Sequence, residues 1–99
     1  MTPPTVSDQS EATRTITVTN RLGLHARPSA MLVQLANRFK AELFVARDSE
    51  EEVNAKSIMG VMMLAAAKDT NLVFRAVGAD GVALLDALEK LFQSKFNED

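Results

Sequence analysis

The sequence predicts an α+β domain of element order βαββαβα, an open-faced β-sandwich in which a four-stranded antiparallel sheet carries three helices on one face. Two patterns predict it. Short runs with period-two alternation of apolar residues recur along the chain, and stretches with apolar residues at helical spacing separate or follow them. Polar and glycine-containing turns punctuate the changes of period.

Arg14 to Asn20 alternates β-branched residues, with Ile16 and Val18 on one face and threonines on the other, as a half-buried strand does. Asn20-Arg21-Leu22-Gly23 is turn chemistry, and Gly23 admits a backbone conformation that a Cβ would obstruct. From Ala26 to Phe39, the residues Leu32, Leu35, Ala36 and Phe39 form one apolar helical stripe. Pro28 marks that helix's first turn, where its missing N–H has no intrahelical acceptor to lose. Ala41 to Arg47 reads as a second strand with Leu43 and Val45 inward, and Glu52 to Ala55 as a third, across the solvated acidic turn Asp48-Ser49-Glu50-Glu51. Phe44 then faces away from the core, as a dimer contact or as a single surface apolar residue.

Ser57 is placed to cap a short apolar helix from Ile58 to about Ala66, within which Gly60 points to a close approach or a weak helix. Asn71 to Val77 is the fourth strand, with Leu72, Phe74 and Ala76 inward. Asp80 is expected to cap the last helix, whose stripe is Leu84, Leu85, Leu88, Leu91 and Phe92, and the final residues are expected to fray.

Ninety-nine residues, 46% of them apolar and 24% charged, suit one soluble domain. Residues 1–12 offer almost no large apolar side chain to offset the entropy of ordering, so a disordered extension is expected there and a folded domain at 13–99. The extension lacks the basic start and apolar run of a secretory signal, and no other run is long enough to span a bilayer; a cytoplasmic protein without membrane insertion is expected. The absence of cysteine excludes disulfides and thiolate zinc sites, and a single histidine excludes a histidine cluster for a metal. No glycine-rich nucleotide loop is present, so no cofactor is expected. The net charge of −2, without Trp or Tyr, argues against a nucleic-acid face and leaves protein partners.

The one histidine, His25, falls at the start of the first helix. First-turn N–H groups lack carbonyl partners and the helix dipole adds partial positive charge, so a phosphate beside the ring would meet ready donors. The same dipole disfavours imidazolium, leaving one ring nitrogen with a free lone pair as a nucleophile. Arg27 can fork two charge-assisted hydrogen bonds onto phosphoryl oxygens.

The octet Gly23-Leu24-His25-Ala26-Arg27-Pro28-Ser29-Ala30 resembles the active-site segment of HPr, the histidine-containing phosphocarrier family of the phosphoenolpyruvate-dependent sugar phosphotransferase system. Downstream, Val53-Asn54-Ala55-Lys56-Ser57-Ile58-Met59-Gly60-Val61-Met62 resembles that family's regulatory-serine segment. The resemblance runs from about Arg14 to Phe96. It implies phosphoryl transfer from enzyme I to Nδ1 of His25 and on to enzyme IIA domains, with Arg27 assisting, by a protein that acts as a monomeric carrier more than as a stand-alone enzyme. It implies phosphorylation of Ser57 where the host has the dedicated HPr kinase. It also makes Ile58, Met59 and Met62 a docking surface, although apolar patterning alone would bury them. Arg21 and Lys56 are secondary positive charges for steering partners. A regulatory phosphorelay or interaction module without direct sugar transport remains the other reading.

Overall fold

The computed structural model describes residues 10–48 and 50–98. Strands β1 (Glu11–Thr17), β2 (Glu42–Arg47), β3 (Val53–Asn54) and β4 (Asn71–Val77) form one antiparallel sheet in the order β1-β4-β2-β3. Helices α1 (Ala26–Ala36), α2 (Ile58–Met63) and α3 (Gly81–Gln93) complete the predicted βαββαβα order. The inward side chains are those the alternation predicts. Ile16 pairs with Leu72, Leu43 with Ala76 and Val45 with Phe74, all six buried. Leu32 and Ala36 of α1 and Leu84, Leu85, Leu88 and Phe92 of α3 close the core over this face.

Boundaries moved where a tertiary contact outweighed local pattern. β1 starts at Glu11, because that strand pairs with β4 along its whole length and Glu11 lies opposite Val77. Glu11 and Ala12 thus belong to the sheet, and only residues 1–9 of the expected extension lie outside the described residues. α1 stops at Ala36, three residues before the partly buried Phe39, and α2 stops at Met63, short of Ala66. The third strand shrinks to two residues: Ala55 N–H still donates across to Leu43 O, but Ser57 N–H already turns back onto Asn54 O towards α2. In the β2–β3 connection Asp48 takes the left-handed conformation, at φ 48°, that a glycine would otherwise supply.

Asp80 is the N-cap residue of α3, as expected, and its carbonyl accepts from Leu84 N–H, but its side chain makes no capping bond. Its carboxylate accepts instead from Lys40 N–H at 2.9 Å and Ala41 N–H at 2.8 Å, tying the start of α3 to the turn before β2. The Lys40 amide, more than the Ala41 amide, holds that carboxyl below its ordinary value, and desolvation only partly opposes it. Phe44 lies on the face away from the helices, half-buried beneath Arg75, whose guanidinium carbon stands 4.5 Å from the ring centroid. Arg75 also makes a bidentate pair with Glu52, 2.9 Å for each bond, and reaches Glu11 at 2.9 Å, so an exposed ion-pair network lies over Phe44 on this face.

Residues 94–98 pack back onto the domain. After α3, Lys95, Phe96 and Asn97 all adopt positive φ, between 54° and 59°, and make one left-handed turn closed by Asn97 N–H to Ser94 O and Glu98 N–H to Lys95 O. Phe96 is buried there and meets Phe92 edge-on, with centroids 4.8 Å apart. The expected fraying is therefore corrected: a buried aromatic anchor holds the tail.

Candidate functional site

The loop between β1 and α1 is built to present a helix start. Asn20 is buried, and its Nδ2 donates to Gly23 O at 2.7 Å while Gly23 N–H returns a bond to Asn20 O at 3.1 Å. Gly23, at φ 71°, has no room for a side chain because a Cβ would strike the Ala66 carbonyl. The next amide, Leu24 N–H, donates to that same Ala66 oxygen at 2.9 Å, joining the loop to the segment after α2. Ser29 Oγ–H donates to Leu24 O at 3.0 Å and locks the other side.

His25 is the N-cap residue of α1, as expected, with extended backbone, and its carbonyl accepts the first helical bond from Ser29 N–H at 3.0 Å. The side chain makes no capping bond, which leaves the imidazole available for other contacts. Helix geometry leaves the Ala26 and Arg27 N–H groups without intrahelical acceptors, and Pro28, which follows, has no N–H to satisfy. The ring is 37% exposed and the Arg27 side chain 62% exposed. Imidazole, guanidinium and two free amides therefore meet at the protein surface.

Sequence reasoning missed the group that faces this cluster. Glu98 is only 18% exposed, and its Oε1 lies 3.0 Å from His25 Nε2 and 3.0 Å from Asn20 Nδ2. Its Oε2 is 3.8 Å from Arg27 Nη1. The hydrogen bond to His25, ahead of those to Asn20 and the charge of Arg27, holds the Glu98 carboxyl below its ordinary value despite partial desolvation. The available signal was Phe96, four residues beyond Phe92, an apolar residue that a frayed end would not need.

Ser57 caps α2 as expected, its Oγ accepting from Gly60 N–H at 3.2 Å. Gly60 reflects both of its expected causes: the helix is six residues long, and a Cβ would press on Asn54 O. Ile58, Met59 and Met62 are exposed, joined by Leu22 and Met63, which sequence reasoning did not single out. At 75% exposure Met59 and Met63 have no core contact to explain them, and the Leu24–Ala66 bond sets this apolar surface beside the histidine loop. Lys56 is less free than a steering charge, because its Nζ donates to Phe39 O at 2.7 Å; Arg21 is exposed.

Fold and site together define a small α+β protein that displays one imidazole at its surface beside an arginine and an apolar patch. Residues 12–94 match the family described as the PTS HPr component phosphorylation site. The phosphocarrier protein HPr of Treponema pallidum (strain Nichols) is 50% identical over 86 residues, covering 87% of this chain and 97% of that relative. That of Xylella fastidiosa (strain Temecula1) is 49% identical over 84 residues, covering 85% and 93%. Among solved structures, HPr-C-His from Thermoanaerobacter tengcongensis superposes with a TM-score of 0.83 at 40% identity, covering 89% of this chain and 98% of that one. The phosphocarrier protein HPr from Bacillus anthracis str. Ames gives 0.77 at 40% identity, covering 82% and 95%. The chain belongs to the HPr family of phosphocarriers of the phosphotransferase system. Among the described residues no helix is long and apolar enough to cross a membrane.

Proposed function

We propose that this protein accepts a phosphoryl group on Nδ1 of His25 from phosphoenolpyruvate-charged enzyme I and passes it to enzyme IIA domains during sugar uptake, as a monomer in the cytoplasm. The observation that carries this reading is the N-cap imidazole: Nε2 bears the ring's only hydrogen bond among the described residues, so Nδ1 is left to react. In-line attack by the Nδ1 lone pair forms the new N–P bond as the donor's bond to phosphorus breaks. The Ala26 and Arg27 amides and the Arg27 guanidinium then face the transferred anion. Phosphoryl transfer asks mainly for alignment and charge compensation, so a surface site serves.

The exposed apolar surface of Ile58, Met59 and Met62, extended by Leu22 and Met63, supports docking of several partners, since methionine adapts to different shapes. Phosphorylation of Ser57 by a dedicated ATP-dependent kinase would add negative charge beside that surface and regulate docking without disturbing the fold. The test is incubation with phosphoenolpyruvate and enzyme I, followed by detection of an acid-labile phosphoryl adduct. His25→Ala is expected to abolish the adduct with the fold intact, and Arg27→Ala to slow transfer more than it lowers stability. An adduct that survives His25→Ala sinks the proposal.

A further inference from the structure

The contact between His25 Nε2 and Glu98 Oε1 fixes more than a distance. An ionised carboxylate has no proton to give, so a 3.0 Å approach to a ring nitrogen requires that nitrogen to carry the hydrogen. In a neutral imidazole the lone pair then sits on Nδ1. The carboxylate is not free to choose another pose: Asn20, wholly buried, donates to the same Oε1 at 3.0 Å. The left-handed turn at Lys95–Asn97, an uncommon conformation for non-glycine residues, brings Glu98 to this place, and buried Phe96 anchors it.

We infer that Glu98 is a positioning residue for phosphoryl transfer: by accepting the Nε2–H bond it holds His25 in the tautomer whose Nδ1 is nucleophilic, and it faces the positive charge that the ring acquires when Nδ1 is phosphorylated. The inference rests on His25 being the phosphoryl acceptor. As Nδ1 gains phosphorus, the Nε2 proton stays on the ring and the imidazole becomes a cation, 3.0 Å from a carboxylate oxygen. A competing role, in which Glu98 blocks the anion site, fits less well. Its contact falls on the nitrogen opposite the reacting one, and its approach to the largely exposed Arg27 is loose at 3.8 Å.

The test uses the full chain with Glu98→Ala and Glu98→Gln, and phosphoramidate as a small phosphoryl donor alongside charged enzyme I. With phosphoramidate, the Nδ1–P bond forms as the P–N bond to ammonia breaks, and the departing amine takes its proton from water. Ring nitrogen resonances of His25 at alkaline pH are expected to show the Nε2–H tautomer in the native protein and an added Nδ1–H population in Glu98→Ala. Glu98→Gln falls between, because its carbonyl still accepts but carries no charge. Phosphorylation of His25 by phosphoramidate is expected to slow about tenfold in Glu98→Ala, the lower end of what losing a carboxylate that orients a metal-bound histidine costs. An unchanged tautomer ratio overturns the inference, and so does an unchanged or faster rate, the latter identifying the carboxylate as a blocking group. A native chain that reacts with phosphoramidate at a Glu98-dependent rate, yet takes nothing from enzyme I, upholds the inference while refuting the proposed partner.

Discussion

Phe96→Ala separates the anchoring of the tail from the stability of the domain. The Phe96 side chain is buried and packed edge-on against Phe92 at 4.8 Å. Burying such a ring contributes about 1.5–3 kcal/mol, and the aromatic pair about 1 kcal/mol more. Opposing this, Lys95, Phe96 and Asn97 all hold left-handed backbone, at about 1 kcal/mol each and so roughly 3 kcal/mol together. The two contributions nearly cancel, leaving the tail attached by no more than about 1 kcal/mol. Truncation should therefore let the strained turn peel away instead of leaving a cavity under a rigid cover. The expected loss in urea unfolding is about 1–2 kcal/mol, set against the roughly 3–5 kcal/mol typical of a phenylalanine truncated inside a core that cannot rearrange. Because Glu98 departs with the turn, the His25 ring resonances of Phe96→Ala should match those of Glu98→Ala. A stability loss of about 3 kcal/mol or more, or a His25 spectrum identical to the native one, refutes this account of the tail.

Gly23→Ala forces an alanine into left-handed backbone and drives its Cβ onto the Ala66 carbonyl; a loss of about 2–4 kcal/mol is expected from urea unfolding, with slower transfer at His25. A loss under about 1 kcal/mol would mean that the loop can shift aside at little cost. Ser57→Ala removes the acceptor for Gly60 N–H and should cost about 1 kcal/mol, while Ser57→Gly should cost only a few tenths; equal losses would contradict the cap. On acidification, the Glu98 carboxyl, held below its ordinary value by His25, keeps the tail's contribution intact above the unfolded glutamate value of about 4.3 and loses it as pH falls further through the folded-state value. Amide resonances of Phe96 and Asn97 followed from neutral to acid pH report this, and a tail that loosens instead on going alkaline would reverse the assigned sign.

The pattern in the chain was sufficient for the order of strands and helices, for their inward faces and for the two motif segments, though not for the element ends. Alternation at Ile16-Thr17-Val18 and at Leu72 to Ala76 named the inward face correctly, because a strand with one buried face has no other way to place its apolar side chains. Pro28 and the preceding residues placed His25 near the N-cap, and Ser57 was legible as a cap, since both depend on backbone chemistry within one turn. Asp80 shows where local reading ends: its carboxylate serves two amides some forty residues away in sequence, at Lys40 and Ala41, and not its own helix.

What the sequence determined by itself was the periodicity of each element and the chemistry of a histidine at a helix start, which are properties of residues close together along the chain. Only the tertiary structure decided which carboxylate stands behind that histidine. Glu98 is 73 residues from His25, and its arrival depends on Phe96 fitting beside Phe92 strongly enough to offset three left-handed residues. Such a balance between burial and backbone strain is set by the shape of the assembled core, and no local pattern encodes it.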